Sequence, residues 1–337
     1  MTRGMTNRMG RMTAAGAATL TVCFAGGAAA GPVNKAWIGA DAKWYVHVDA
    51  EAAVGSALGQ FVVANRGRLG LEGMDGLRAL GIDPFKDVKG VTIYDTDENP
   101  EHAVVVASTT AAVEQLMDML RSDPATRTME IEGHTLVAFD DNGKAQYWHV
   151  RPGATPDTRL VVMSDEWKVV TDALKVVDGG SSSLARIGPG SPLAGEAGSG
   201  SIVFVRASEL PAPVKNNPDP NASALLSQVG GVQLDVGERD GEIYGDALLF
   251  TSSGENAANM SQVAQGLLAL GRMITKDNAD LAPVSAVLGA TKVEPSDRQL
   301  KVSFRFPSKK VVDAVESMLA AKEKADARDK DNEEAKP

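Results

Sequence analysis

Residues 91–120 read VTIYDTDENPEHAVVVASTTAAVEQLMDML. This stretch predicts two strands, Val91–Asp95 and Ala103–Ala107, joined by a turn at Thr96–Pro100. It ends in a predicted helix, because its last apolar residues recur at helical spacing: Val113, Leu116, Met117 and Leu120. The stretch is therefore a strand–turn–strand–helix unit, and the repetition of this unit along the chain decides the fold class.

The unit recurs in the second part of the chain. Strands at Val232–Val236 and Ile243–Phe250 precede a helix that begins with a capping box at Ser252 and Glu255 and has an apolar stripe from Met260 to Ile274. Strands at Thr291–Val293 and Leu300–Phe306 precede a final helix. An expanded copy contains several strands between Met129 and Arg159 and ends in a helix at Trp167–Val177. These repeats predict an α+β protein with mostly antiparallel pairing.

The units fall into two similar halves. Trp44–Asp49 alternates as a half-buried strand before a helix, and Ile202–Val205 followed by a helix at Ala222–Val229 matches it about 140 residues later. The constant offset predicts an internal duplication, in which each half forms a sheet covered on one face by helices. The helix residues predicted to cover the sheets are Val54, Leu58, Phe61, Val113, Leu116, Leu120, Trp167, Val170 and Leu174, then Met260, Val263, Leu267, Val311, Val315 and Leu319.

Composition shifts divide the chain further. Gly and Ser dominate the region between the halves, and the last residues carry balanced charges without an apolar stripe. The predicted segments are a signal peptide (1–30), a first α+β half (31–178), a Gly/Ser-rich connector (179–200), a second α+β half (201–320) and a charged disordered tail (321–337).

The N-terminal residues have the composition of a secretory signal. Residues 1–11 contain three arginines and no acid, and residues 12–30 are uncharged and rich in Ala and Gly. Small residues at Ala28 and Ala30 predict cleavage between Ala30 and Gly31. The sequence therefore predicts export to the periplasm or the cell exterior, and the apolar region is too short to predict a membrane span in the mature chain.

The position of the single cysteine and the net charge limit how the protein is anchored and which partners it binds. Cys23 is the single cysteine and lies inside the predicted signal, where lipid anchoring through it is an alternative to cleavage. Removal of residues 1–30 takes the formal charge from −10 to −13. Because an acidic surface repels phosphate backbones, nucleic acid is not an expected partner, whereas an envelope protein or a small-molecule ligand is.

This plan resembles that of uncharacterised exported bacterial proteins with duplicated α+β halves. The resemblance covers residues 31–320 and rests on the pattern of elements and on the phrase Gly81-Ile82-Asp83-Pro84. It implies a fold and an exported location, and no activity or site.

Catalytic motifs are not evident. The chain has no Gly-x-Ser-x-Gly turn after a strand and no phosphate-binding glycine loop, and its four histidines all lie in the first half. Residues 95–99 have alternating oxygen ligands like a calcium loop, but Pro100 replaces the turn glycine. We therefore expect a non-enzymatic binding or envelope-associated module without a cofactor or a metal; the alternative is a secreted, hydrolase-like enzyme.

One pattern stands out as a candidate ligand site. Tyr45 with His47, and Tyr147 with His149, are Tyr–His pairs in which the two residues share a strand face. If both strands belong to one sheet, the two pairs and Asp49 line its polar face. This predicts a ligand-binding platform, against the alternative of an ordinary solvated face.

Overall fold

The computed structural model describes residues 33–71, 78, 81–96, 102–210, 223, 226–276 and 281–334. The predicted signal peptide, its cleavage position and Cys23 lie outside the described residues. So do most of the turn predicted at residues 96–100 and much of the helix predicted at residues 222–229.

Twelve strands form a single sheet in the described chain. They are β1 (Trp44–Asp49), β2 (Val88–Asp95), β3 (Val104–Thr110), β4 (Arg127–Ile131), β5 (His134–Asp141), β6 (Lys144–Pro152), β7 (Thr158–Ser164), β8 (Ser201–Ala207), β9 (Val229–Arg239), β10 (Glu242–Thr251), β11 (Lys292–Ser296) and β12 (Gln299–Pro307). Their order across the sheet is β11-β12-β10-β9-β8-β1-β2-β3-β7-β6-β5-β4. Every neighbouring pair is antiparallel.

The described helices connect these strands. They are α1 (Ala50–Gly55), α2 (Ala57–Ala64), α3 (Pro84–Asp87), α4 (Val113–Ser122), α5 (Trp167–Val177), α6 (Leu184–Ile187), α7 (Gly254–Thr275), α8 (Ala282–Ala290) and α9 (Ser308–Glu334). The helix expected after β1 is interrupted at Ser56, whose side chain accepts a hydrogen bond from Gly59 N at 3.0 Å and thereby begins α2.

The α+β class and the antiparallel sheet are confirmed. The two predicted sheets, however, are one, because β1 pairs with β8 and joins the halves in the middle. Residues of both regions 91–120 and 232–274 form strand–strand–helix units, β2-β3-α4 and β9-β10-α7. Duplication of the halves stays a prediction.

Helices cover both faces of the first half, which corrects the expected one-sided arrangement. Val106 packs with Val170 and Leu174 of α5, whereas its neighbour Ala107 points to the opposite face and packs with Val113 of α4. The reason is that β3 and β7 contain continuous apolar runs with no polar face, so both sides of these strands must be covered.

Several expected covering positions are wrong. Val54, Val113, Val170, Leu174 and Met260 are buried. Trp167, Val263 and Leu267 are exposed. The inner surface of α7 contains the buried residues Ala257, Met260 and Ser261, and Val263 and Leu267 do not face the sheet.

The connector and the tail are more ordered than expected. Within residues 179–200, Leu184 and Leu193 are fully buried in the same core as Tyr45. Helix α9 continues through residue 321 to Glu334, so the chain does not become disordered after Leu319. Ala, Lys and Glu favour helix there, and Arg68 binds Glu323 at 2.7 Å, which ties α9 to the segment after α2.

Candidate ligand-binding cleft

The first predicted Tyr–His pair has structural roles. Tyr45 is fully buried and packs against Phe204, with ring centroids 6.0 Å apart. His47 is buried and its Nδ1 lies 2.9 Å from Thr92 Oγ1. Asp49 begins α1, because its Oδ1 accepts a hydrogen bond from Ala52 N at 2.7 Å.

The second pair lies on the same face of the sheet, in β6. Tyr147 is partly buried against the core that contains Tyr45. His149 places Nδ1 3.0 Å from Thr135 O, and its ring meets the edge of His134 at a centroid distance of 5.4 Å. His134 Nε2 lies 3.8 Å from Asp178 Oδ2.

The two pairs share one sheet and one face, as the platform hypothesis requires, but they are not neighbours. Strands β2, β3 and β7 lie between β1 and β6. At about 4.8 Å per strand, the pairs are about 19 Å apart. They therefore do not form one compact site, and ligand binding by these residues stays a prediction.

Burial changes the acidity of three of these residues, and it raises the pKa of the Tyr45 hydroxyl. Burial raises the pKa of Asp49 to about 6, and the hydrogen bond from Ala52 N opposes the rise. Burial lowers the pKa of His149, against the opposing effect of its contact with Thr135 O. All three shifts are dominated by loss of solvent rather than by a charged partner, so none indicates an acid–base pair.

A cleft lies between the N-terminal segment and α5, on the face of the sheet that carries Tyr45. The segment at residues 39–43 is fixed on both sides: Ala40 N donates to Ser182 O at 3.1 Å, and Lys43 N donates to Asp95 O at 2.8 Å. The opposite wall is α5, whose residues at three- and four-residue spacing share one face. The cavity volume is about 580 Å³, which is in the range of small-molecule sites.

The cleft combines an apolar floor with acidic groups. Its apolar floor is formed jointly by Tyr94 and Val104 of the sheet and by Val169, Ala173 and Val176 of α5, and its carboxylates belong to Asp41, Asp95, Glu166 and Asp172. Neither Lys nor Arg occurs among the lining residues that the structure describes. Burial raises the pKa of Tyr94, and the negative charge of Asp41 adds to this rise. The cleft is therefore a negatively charged cavity with an apolar base.

Two of the acidic lining residues have basic neighbours. Asp172 Oδ1 lies 2.8 Å from Lys175 Nζ, and Lys175 also contacts Glu132. His102 Nδ1 lies 3.0 Å from Asp165 Oδ1, and its Nε2 lies 3.6 Å from Glu166. Four carboxylates among the described lining residues make the cleft attractive to a cation.

The acidic residues of the cleft belong to different elements of the fold. Among the described residues, no group of three or more His, Cys, Asp and Glu side chains is placed to hold a metal ion. The cleft carboxylates come from separate walls and line a cavity large enough for an organic cation.

Sequence reasoning missed this cleft because its charged residues are far apart in the chain. Asp41, Asp95 and Glu166 come from three separate segments of the chain. Asp95 was considered only as part of a calcium-like loop, whose later residues lie outside the described chain.

No helix in the described part of the chain is both long enough and apolar enough to span a membrane.

Comparison with known proteins gives only distant likenesses. No protein-family model and no curated protein matches the chain. Crystal form III of TP0453 is 10% identical, with 86% of this chain and 100% of that chain covered and a TM-score of 0.41. Crystal form I is 11% identical, with coverage of 85% and 97% and a TM-score of 0.39. These likenesses carry no information on function.

Proposed function

We propose that this protein is an exported, non-enzymatic binding module whose cleft holds a small organic cation with an apolar part. The observation that carries the proposal is the set of carboxylates around an apolar floor, with neither Lys nor Arg among the described lining residues. The charge pattern selects a cation, and the floor selects a ligand with an aromatic or aliphatic portion. Export rests on the N-terminal signal pattern and on the resemblance to exported proteins.

Two walls contribute to recognition in different ways. Asp41 lies on the N-terminal segment beside Tyr94, so its carboxylate can contact the charged end of a ligand in the cleft. Because Tyr94 is 2% exposed, the apolar part of the ligand rests against Val169, a floor residue that is only partly buried. Glu166 at the start of α5 supplies negative charge from the opposite wall.

Calorimetric titration with 2-phenylethylammonium tests this proposal. We expect saturable binding that weakens with added salt, because the carboxylates act partly through long-range attraction. The matched anion 3-phenylpropionate, which has a similar ring and chain, should not bind. Equal binding of both probes would contradict charge selection, and no binding of the cation would contradict the proposed site.

Two single substitutions test whether 2-phenylethylammonium binds in the cleft. Asp41→Asn should weaken binding of 2-phenylethylammonium about three- to tenfold, since one exposed charge is lost. Asp157→Asn is the control, because it removes the same charge from an exposed loop residue that does not line the cleft. If both variants weaken binding equally, the overall charge of the protein, and not the cleft, attracts the probe.

A further inference from the structure

Helix α7 exposes a row of large apolar side chains that the sheet does not use. Val263 is 44% exposed, Leu267 65%, Leu270 47% and Ile274 64%, and Met273 beside them is 65% exposed. The inner surface of the same helix packs through Met260 and Ala264 onto the sheet. The exposed stripe, which we define as Val263, Leu267, Leu270 and Ile274, is therefore a second apolar face.

The spacing within the exposed stripe is that of a coiled coil. The intervals are four, three and four residues, so the positions alternate between the two inner positions of a heptad. The flanking heptad positions hold Ala264, Gly266, Gly271 and Met273, none of which is charged. Such flanks allow a second helix to approach closely without repulsion between like charges.

Gly266 has no evident role within one copy of the chain. A Cβ atom added at this residue would meet nothing within 4 Å, so the glycine is not required by a close contact. A glycine in an exposed helix interior costs about 1 kcal/mol relative to alanine. A Cβ atom added at Gly271, on the other flank, would instead lie 3.1 Å from Leu288 Cδ1 of α8. The open flank at Gly266 is where another backbone could approach.

The exposed area is sufficient for a small specific interface. Fully exposed side chains of these types present about 150–200 Å² each, so the exposed stripe and Met273 leave about 500 Å² of apolar surface on one copy. Two copies together would bury about 1,000 Å², which is the lower bound for a specific protein–protein contact.

We propose that the exposed stripe of α7 binds the same stripe of a second copy of this chain, with the two helices antiparallel. A two-fold axis between Leu267 and Leu270 places Val263 of one copy against Ile274 of the other, so every apolar residue of the stripe finds an equivalent partner. The antiparallel direction also opposes the two helix dipoles.

A second copy fits the helix better than a lipid surface does. Helices that lie on membranes usually carry many Lys and Arg residues on their polar face. Helix α7 contains one Arg and no Lys. The Arg272 guanidinium already donates to Leu288 O at 2.8 Å and to Thr291 O at 3.2 Å, which holds α8 against α7.

Sedimentation of the purified protein at concentrations from about 1 to 100 µM tests this pairing. The wild-type protein should approach twice the mass of the chain, and Leu267→Glu should raise the apparent dissociation constant at least about tenfold. Gln262→Glu is the control, because it adds the same charge at an exposed position of α7 outside the stripe and should leave association unchanged. A wild-type protein of single-chain mass throughout, or a Leu267→Glu protein that associates normally, would overturn the proposal.

Two further measurements test the close contact between the two helices and binding to a lipid surface. Gly266→Ala should weaken association while it raises the melting temperature of the separate chain, and unchanged association would exclude the close helix contact. Vesicles of phosphatidylcholine test a lipid surface directly. Co-sedimentation of a single-copy wild-type protein with these vesicles, lost in Leu267→Glu, would assign the stripe to lipid and overturn the second-copy proposal.

Discussion

Tyr45 of β1 lies directly across the antiparallel ladder from Arg206 of β8, and this pairing joins residues 161 positions apart in the middle of the sheet. The tyrosine side chain fills the core next to Phe204, so the residue first considered for ligand binding is a structural residue at the junction of the two halves.

Two replacements of Tyr45 separate the contribution of its ring to stability from that of its hydroxyl. Tyr45 Oη is buried and has no hydrogen-bond partner among the described residues. Tyr45→Phe should therefore leave the free energy of unfolding unchanged or raise it by up to about 1 kcal/mol, whereas Tyr45→Ala should lower it by about 3–5 kcal/mol. Urea unfolding measures both values. A loss of more than about 1 kcal/mol in Tyr45→Phe would show that the hydroxyl has a partner.

Asp49 should lower the free energy of unfolding as the pH rises, which is the opposite of the effect of a carboxyl group with a lowered pKa. Its pKa rises from 3.8 to about 6 in the folded protein, so the folded state holds its proton more tightly than the unfolded state. The stabilising effect of protonation is complete below about pH 4 and is lost as the pH rises to about 6. Asp49→Asn keeps the acceptor for Ala52 N and should exceed the wild type in stability by about 1–3 kcal/mol at pH 7, with little difference at pH 4.

The alanine variant of Asp49 provides the comparison. Asp49→Ala loses the acceptor for Ala52 N, so it should be less stable than Asp49→Asn by about 1 kcal/mol at every pH. Unfolding curves at several pH values distinguish the two. A difference between wild type and Asp49→Asn that does not change with pH would show that the carboxyl keeps its ordinary acidity.

Core and exposed positions of the helices should respond differently to truncation. Leu174→Ala should lower the free energy of unfolding by about 2–5 kcal/mol because Leu174 is fully buried, and Leu267→Ala should change the stability of the separate chain by less than about 0.5 kcal/mol. Thr92 is 1% exposed and bonded to His47, so it belongs with the core positions. A similar loss of unfolding free energy in Leu174→Ala and Leu267→Ala would contradict the assignment of Leu267 to the outer side of α7.

Processing of the N-terminus can be checked on protein isolated from its native cell. We expect the mature chain to begin at Gly31, and Ala28→Gln should prevent this cleavage because the peptidase site accepts only small side chains. Mass spectrometry of the N-terminus measures both. Retention of Met1 in the wild-type protein would refute the signal peptide, and a fatty acid on Cys23 would select the lipid-anchored alternative.

The sequence predicts local structure better than it predicts which surfaces meet. Alternation in Trp44–Asp49 gives the bounds of β1, and apolar spacing gives α5 at Trp167–Val177. The run Val104–Ala107 has no polar face, which indicates a strand buried on both sides, so the one-sided expectation overlooked a signal that the sequence contains. In α7 two apolar faces coexist: Met260 was correctly assigned to the sheet, whereas Val263 and Leu267 were assigned to it and are exposed.

The cleft was beyond sequence reasoning for a related reason. Asp41 and Glu166 are brought together by the fixed path of residues 39–43 and by the packing of α5, and no local pattern encodes that distance. The paired Tyr–His motif, in contrast, was visible because its spacing is local, yet the strand order separates its two copies.

The central position of β1 has a consequence for how the chain acquires its structure. During synthesis from the N-terminus, β2 is complete about 50 residues after the start of β1 and can pair with one edge of it. The other edge of β1 stays open until β8 is made, about 160 residues after β1. An open strand edge in the middle of a future sheet can pair with other chains. We therefore expect slow folding with high contact order and a concentration-dependent loss to aggregates, most severe when the chain stops before β8.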